Sequence, residues 1–166
     1  MNGPEAKNKP LPNRDNDMCF GCSPINPYGL QMKFFADGEY VFSELSAADH
    51  LSGWKNVVHG GVITTIFDEI MVRAGIYFLK KVTLTKSITV NFLQSTYIGQ
   101  KLRAEGRVSE VTSEREAMME ASLIDNEGNL CATATGTFAI FDPAVALRRG
   151  IIDEAALQSL ELMPKT

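Results

Sequence analysis

Between Gly60 and Lys80 the large apolar residues fall at Ile63, Ile66, Phe67, Ile70, Met71, Ala74, Tyr77 and Phe78. Steps of three and four predict a helix, here one long helix over about 60–80. Its other faces carry Val62, Thr64, Thr65, Val72, Ala and Gly instead of many charges. Such a helix is expected to be enclosed by protein on most sides. From Val82 the period changes to two: Ile88, Val90 and Phe92 alternate with Ser87, Thr89 and Asn91, and Leu102, Ala104, Gly106 and Val108 alternate with Arg103, Glu105 and Arg107. Four antiparallel strands up to Phe141 account for this pattern, with turns at Gly99, near Ser113 and at "DNEGN" 125–129. The last, "LCATATGTFAI", is rich in small residues, which suits a strand lying close under the helix.

Upstream, Pro24, Pro27 and Gly29 mark turns before an apolar stretch, Leu30 to Phe35, that reads as a first strand. Asp37-Gly38 then predicts a tight reversal into "EYVFSEL". Residues 1–17 hold three prolines and almost no large apolar side chain, and are expected to form a flexible arm. Residues 142–166 read as a tail whose 151–162 segment has a short amphipathic pattern, a surface helix or a cap on another subunit. The order of two strands, one long helix and four strands is α+β. Wrapping about six antiparallel strands around the single helix buries its apolar faces.

At 166 residues and 45% hydrophobic, the chain suits one domain. A net charge of −4 argues against a nucleic-acid partner. No apolar run reaches the roughly 18 residues of a membrane span, and the N-terminus has no apolar core of a signal peptide, so the expected compartment is the cytoplasm. Three cysteines, an odd number, fit a reducing compartment better than a disulfide framework.

Four stretches resemble a known family: "CFGC…NPYGL" at 19–30, "GWKNVVHGGVITTIFDE" at 53–69, "TKSITVNFL" with "IG" at 85–99, and "GTFAIF" at 136–141. Over about residues 18–141 the chain is similar to the hotdog-fold acyl-CoA thioesterases of the 4-hydroxybenzoyl-CoA thioesterase superfamily, in particular its phenylacetate-pathway-like branch. The resemblance implies a hotdog fold, hydrolysis of an acyl-CoA thioester without a cofactor, and sites at the interface of a homodimer or dimer of dimers. The family often has a proline where this chain has Ser95 and Thr96.

The segment "HGGVITTIFDEIM" places two adjacent carboxylates, Asp68 and Glu69, in an apolar run. Arg73 follows Glu69 by four residues, so on a helix these two can pair. Asp68 has the Thr64 hydroxyl at i−4 but no cation, and is the better candidate for chemistry. The resemblance implies that the Asp68 position is the catalytic one, acting as general base on water or as nucleophile. Gly60 and Gly61 stand at the helix start, where unpaired N–H groups and the helix dipole can meet an oxyanion; the plain alternative is that they only permit a tight turn. His59 either caps that turn or polarises the same oxygen. Thr85 matches a family hydroxyl position and either holds the water or Asp68 or is an ordinary strand threonine. Gly61, Thr64 and Glu69 are the expected substrate-binding neighbours.

Gly60 and Asp68 are eight helical residues apart, about 12 Å at ~1.5 Å per residue, too far to touch one carbonyl group. A site joining one subunit's Gly60 to another's Asp68 makes the dimer the catalytic unit. Cys19 and Cys22 form a C-x-x-C pair, but structural zinc needs four ligands and only His50 and His59 remain. No metal is expected, and the pair reads as loop packing. Arg73, Lys80, Lys81, Lys86, Lys101, Arg103, Arg148 and Arg149 are candidates for the phosphates of coenzyme A. Two rival functions are a hotdog enoyl-thioester hydratase or dehydratase and a non-catalytic acyl-CoA-binding module.

Overall fold

The three-four spacing produces a 20-residue helix, α1, over Gly60–Leu79, in a computed structural model that describes residues 8–164. Ile66, Phe67, Ile70, Met71 and Ala74 lose all contact with water. Each large apolar side chain among them contributes on the order of 1.5–3 kcal/mol. The helix stops at Lys80, which adopts a left-handed conformation (φ 54°) and donates its N–H to the Ile76 carbonyl.

Seven strands form one antiparallel sheet around this helix: β1 (Lys9–Pro10), β2 (Phe35–Ala36), β3 (Val41–Ser46), β4 (Val82–Phe92), β5 (Lys101–Ser113), β6 (Glu116–Asp125) and β7 (Leu130–Phe141). Their order is β1-β2-β3-β5-β6-β7-β4. The four long strands lie where the period-two pattern puts them. Two short helices follow, α2 (Pro143–Arg148) and α3 (Glu154–Glu161). Only the second was expected. Asp142 stands at the N-cap of α2 with Pro143 at its first position, an arrangement suited to a helix start.

Three expectations need correction. Residues 9–14 belong to the domain instead of a free arm: β1 pairs with β2, Leu11 is buried, and the Asn13 amide donates to the Met32 carbonyl at 2.9 Å. A single buried leucine and backbone pairing suffice to seat a proline-rich segment. Residues 1–7 of the expected arm lie outside the described residues. The strand expected over Leu30–Phe35 is reduced to the two-residue β2 at its end. Met32 and Phe34 still alternate inward, while Leu30 and Met32 give their N–H groups to the Phe20 and Gly21 carbonyls of a loop. Finally, α1 makes its closest approach to β5 instead of β7. At Gly106 an added Cβ would lie 3.0 Å from the Ile70 carbonyl oxygen, so the missing side chain is what admits the helix.

β4 forms one end of the sheet and, among the described residues, pairs only with β7. Its ladder slips between Thr85 and Ser87, leaving Lys86 as an extra residue. Before this bulge the side chains turned toward α1 are Thr83 and Thr85. After it they are Ile88 and Val90, which pack on the core. The inward set changes from odd to even positions within one strand.

Candidate active site

At the N-terminus of α1, His59 is the capping residue, with extended backbone (φ −62°, ψ 134°). Its Nδ1 accepts the Gly61 N–H at 2.9 Å. With Nδ1 accepting, the imidazole proton of the neutral ring sits on Nε2, leaving an N–H that can be donated outward. A side chain at 61 would press on that nitrogen, since its Cβ would fall 3.0 Å away. Val62 and Ile63 donate their N–H groups to the His59 carbonyl. Gly60 donates to nothing among the described residues. No acidic residue stands in the first turn, so the positive end of the helix is left uncompensated. Of the two glycines, Gly60 therefore holds the available donor.

A groove of about 850 Å³ opens over this turn, walled by Val58, Ile63, Phe92 and Leu93 and by the ring of Trp54. Trp54 is 89% exposed and Phe92 55%, high for side chains of that size. His59 and Gly60 form its floor.

Asp68 stands two turns along. Its carboxylate Oδ1 accepts the Thr85 hydroxyl at 2.5 Å, so the bulged strand and the helix meet at this pair. Thr64 does not take part, because its hydroxyl donates to the Gly60 carbonyl at 3.0 Å. Gly61, Thr65, Asp68 and Val72 recur at steps of four and three, and all are at least partly open to solvent. They form a strip of small or polar residues along α1, beside the unpaired edge of β4.

Glu69 turns another way. Salt bridges among the described residues include none between Glu69 and Arg73, although the i,i+4 spacing allowed one. Glu69 instead lies with Oε1 3.4 Å from Cys19 Sγ, and its methylene lies where any side chain at Gly21 would have to go. Burial, then the negative charge of Cys19, pushes its carboxyl up to about 7. Arg73, only 5% exposed, donates to the Pro12 carbonyl at 3.0 Å and to Cys22 Sγ at 3.2 Å, and lies over the Phe34 ring. It is not free to meet a phosphate. Lys81 and Lys86 pair with Asp142 and Glu116, and Arg103 with Asp37, Glu44 and Glu105.

The structure thus joins Asp68 to Thr85 and His59 to Gly61, and puts Glu69 with the two cysteines. The gathering of Cys19, Cys22 and Glu69, whose ligating atoms all lie within 4.8 Å of one another, was not legible from spacing, since 50 residues separate Cys19 from Glu69. The signal was Gly21, a residue without bulk facing a helix that carries a carboxylate.

No curated protein sequence matches the chain. The family model of the thioesterase superfamily matches residues 55–132, the stretch holding α1, β4, β5 and β6. Among solved structures, the PaaI protein from the phenylacetic acid degradation operon of E. coli is 14% identical, with a TM-score of 0.61, 68% of this chain and 80% of that chain being covered. A thioesterase from Haemophilus influenzae is 20% identical, with a TM-score of 0.61 and coverage of 68% and 79%. A hypothetical thioesterase from Streptococcus pneumoniae, solved with coenzyme A, is 19% identical, with a TM-score of 0.56 and coverage of 62% and 79%. At these identities the likeness establishes the hotdog fold.

Proposed function

We infer, from the match to the thioesterase superfamily model over residues 55–132 and from the hotdog fold, that this protein is an acyl-CoA thioesterase, releasing a free acid and coenzyme A. The observation that carries the reading is the bond from Thr85 to Asp68. It holds one carboxylate oxygen and leaves the other for a water molecule or an acyl carbon. As general base, Asp68 takes the proton of the attacking water. As nucleophile, it forms an anhydride that water then opens. The Gly60 N–H, without a partner among the described residues, meets the carbonyl oxygen as it gains charge, and His59 Nε2–H stands beside it. Coenzyme A leaves as the thiolate and is protonated by solvent. The coenzyme A complex of the Streptococcus thioesterase supports this substrate class.

The catalytic unit is a homodimer, because Gly60 and Asp68 lie about 12 Å apart along one helix. The small-residue strip through Asp68 and the unpaired edge of β4 are the surfaces a second copy covers, with the helices antiparallel. The thioester then lies across the interface, its carbonyl at the Gly60 groove of one subunit and beside Asp68 of the other.

The test is thiol release from short, medium, long and aryl acyl-CoAs by the purified protein and by Asp68→Asn. A general base or nucleophile is worth ~10²–10⁴ in rate, so the variant should lose at least about a hundredfold in kcat with its fold unchanged. Glu69→Gln should be milder. Hydration of an enoyl-CoA without thiol release, or a normal Asp68→Asn beside a dead Glu69→Gln, overturns the assignment.

A further inference from the structure

The two cysteines at the start of the domain take no part in the proposed hydrolysis, yet their surroundings are specific. Cys22 Sγ lies 3.1 Å from Cys19 Sγ and donates to it. The Cys22 N–H also points at Cys19 Sγ, at 3.4 Å, a turn geometry that gathers donors around one sulfur. The Glu69 carboxyl stands 3.4 Å from the same sulfur, and the Arg73 guanidinium 3.2 Å from Cys22 Sγ. Cys19 is partly open to solvent and Cys22 is buried. A cavity of about 190 Å³, lined in part by Arg14, Cys22, Glu69 and Arg73 and roofed by α3, adjoins the cluster.

A dication is a poor fit to this arrangement. Three ligands converge where structural zinc takes four, and the guanidinium of Arg73 already occupies one side of Cys22. A dithiol is a good one. An accessible thiolate beside a buried thiol is the arrangement of an attacking and a resolving cysteine. The charges facing the pair are those of Arg14, of Asp17, which pairs with Arg14 and accepts the Cys19 N–H, of Arg73, of Glu69 and, behind Glu69, of Asp68. The thiol of Cys22, together with the Cys22 and Gly21 amides, draws Cys19 down to about 4, and burial opposes this only in part.

We propose that Cys19 and Cys22 are a peroxide-oxidisable dithiol that closes reversibly to a disulfide, with Glu69 as its proton donor. Cys19 thiolate attacks one oxygen of a hydroperoxide. An S–O bond forms, the O–O bond breaks, and the departing oxygen takes the proton of the neutral Glu69 carboxyl, giving Cys19 sulfenic acid and, from hydrogen peroxide, water. Cys22 sulfur then attacks Cys19 Sγ. The S–S bond forms, the S–O bond breaks, and the sulfenic hydroxyl leaves with the Cys22 proton as a second water. The two sulfurs together give up two electrons, which the peroxide accepts, and Glu69 is reprotonated from solvent. A thiol reductant reverses the change by exchange.

The experiment treats the full-length reduced protein with a few equivalents of hydrogen peroxide, then counts free thiols after denaturation and maps the tryptic peptide 15–33. The count should fall from three to one, with peptide 15–33 lighter by two hydrogens, Cys131 untouched, and full recovery after dithiothreitol. Cys22→Ser should instead accumulate a sulfenic acid at Cys19 that dimedone traps, and Glu69→Gln should slow the first step severalfold at neutral pH. Peptide mapping of the unsubstituted protein needs no variant to fold. Three thiols surviving peroxide, oxidation of Cys131 in place of the pair, or one equivalent of zinc retained with both thiols masked would each overturn the proposal. None of these outcomes depends on thioester hydrolysis.

Discussion

Replacing Thr85 by valine keeps the shape and branching of the side chain and removes one hydroxyl. In the structure that hydroxyl is the donor to Asp68 Oδ1. Hydrogen bonds to charged groups contribute ~1.5–3 kcal/mol. Thr85 lies at the exposed edge of the sheet and Asp68 is only half-buried, so the lower end applies. About 1.5 kcal/mol taken from the positioning of the carboxylate corresponds to roughly a tenfold fall in rate. The loss should appear in kcat with KM nearly unchanged, because Thr85 bonds Asp68 and not the thioester. Thr85→Ser, which restores the donor, should recover activity to within about threefold of the parent. The assay is coenzyme A release followed by chromatographic separation, which avoids reagents that label Cys19, together with a thermal melt to show that all three proteins fold alike. A Thr85→Val enzyme with more than half the parent activity, or a serine variant no better than valine, would refute the positioning role.

Shared sites can be tested by mixing Asp68→Asn with Gly60→Pro, each inactive alone. Proline at Gly60 deletes the free N–H and falls at the first helical position, after a residue whose ψ of 134° already suits it. Reassembled mixtures should regain up to about a quarter of parental activity by random pairing, and no recovery in verified heterodimers would place both groups in one subunit's site. Gly106→Ala sets a new Cβ 3.0 Å from the Ile70 carbonyl. It should cost ~1–3 kcal/mol in chemical denaturation, and an unchanged midpoint would mean that β5 can retreat from the helix.

How much of this was legible from residues alone follows from how local each signal is. The helix was, because Ile63 to Phe78 repeat at helical spacing over about four turns and Gly60 and Lys80 bound them. The four long strands were, because alternation survives in each of them. The strand at Lys9–Pro10 was not: two residues carry no period, and their pairing depends on Leu11 finding a pocket made by distant residues. Arg73 was misassigned for a related reason. Its i+4 relation to Glu69 is visible in sequence, whereas Pro12, Cys22 and Phe34, which enclose it, lie 39 to 61 positions away. At the candidate site, the Asp68 assignment rested on the absence of a cation within helical reach and on a resemblance, while the bond to Thr85 and the unused N–H of Gly60 required coordinates.

The extra residue at Lys86 lets one strand serve two masters. A regular strand that aims Thr83 and Thr85 at the helix would turn Ile88 and Val90 outward, and a regular strand that buries those two would swing Thr85 away from Asp68. Lys86 acts as a half-step between the two phases, so the chemical end of β4 and its structural end can be altered independently only while the count between them is kept. Point substitutions on either side are changes of side chain. A single-residue deletion there is a change of parity, and it would force the strand to choose between holding the carboxylate and closing the core.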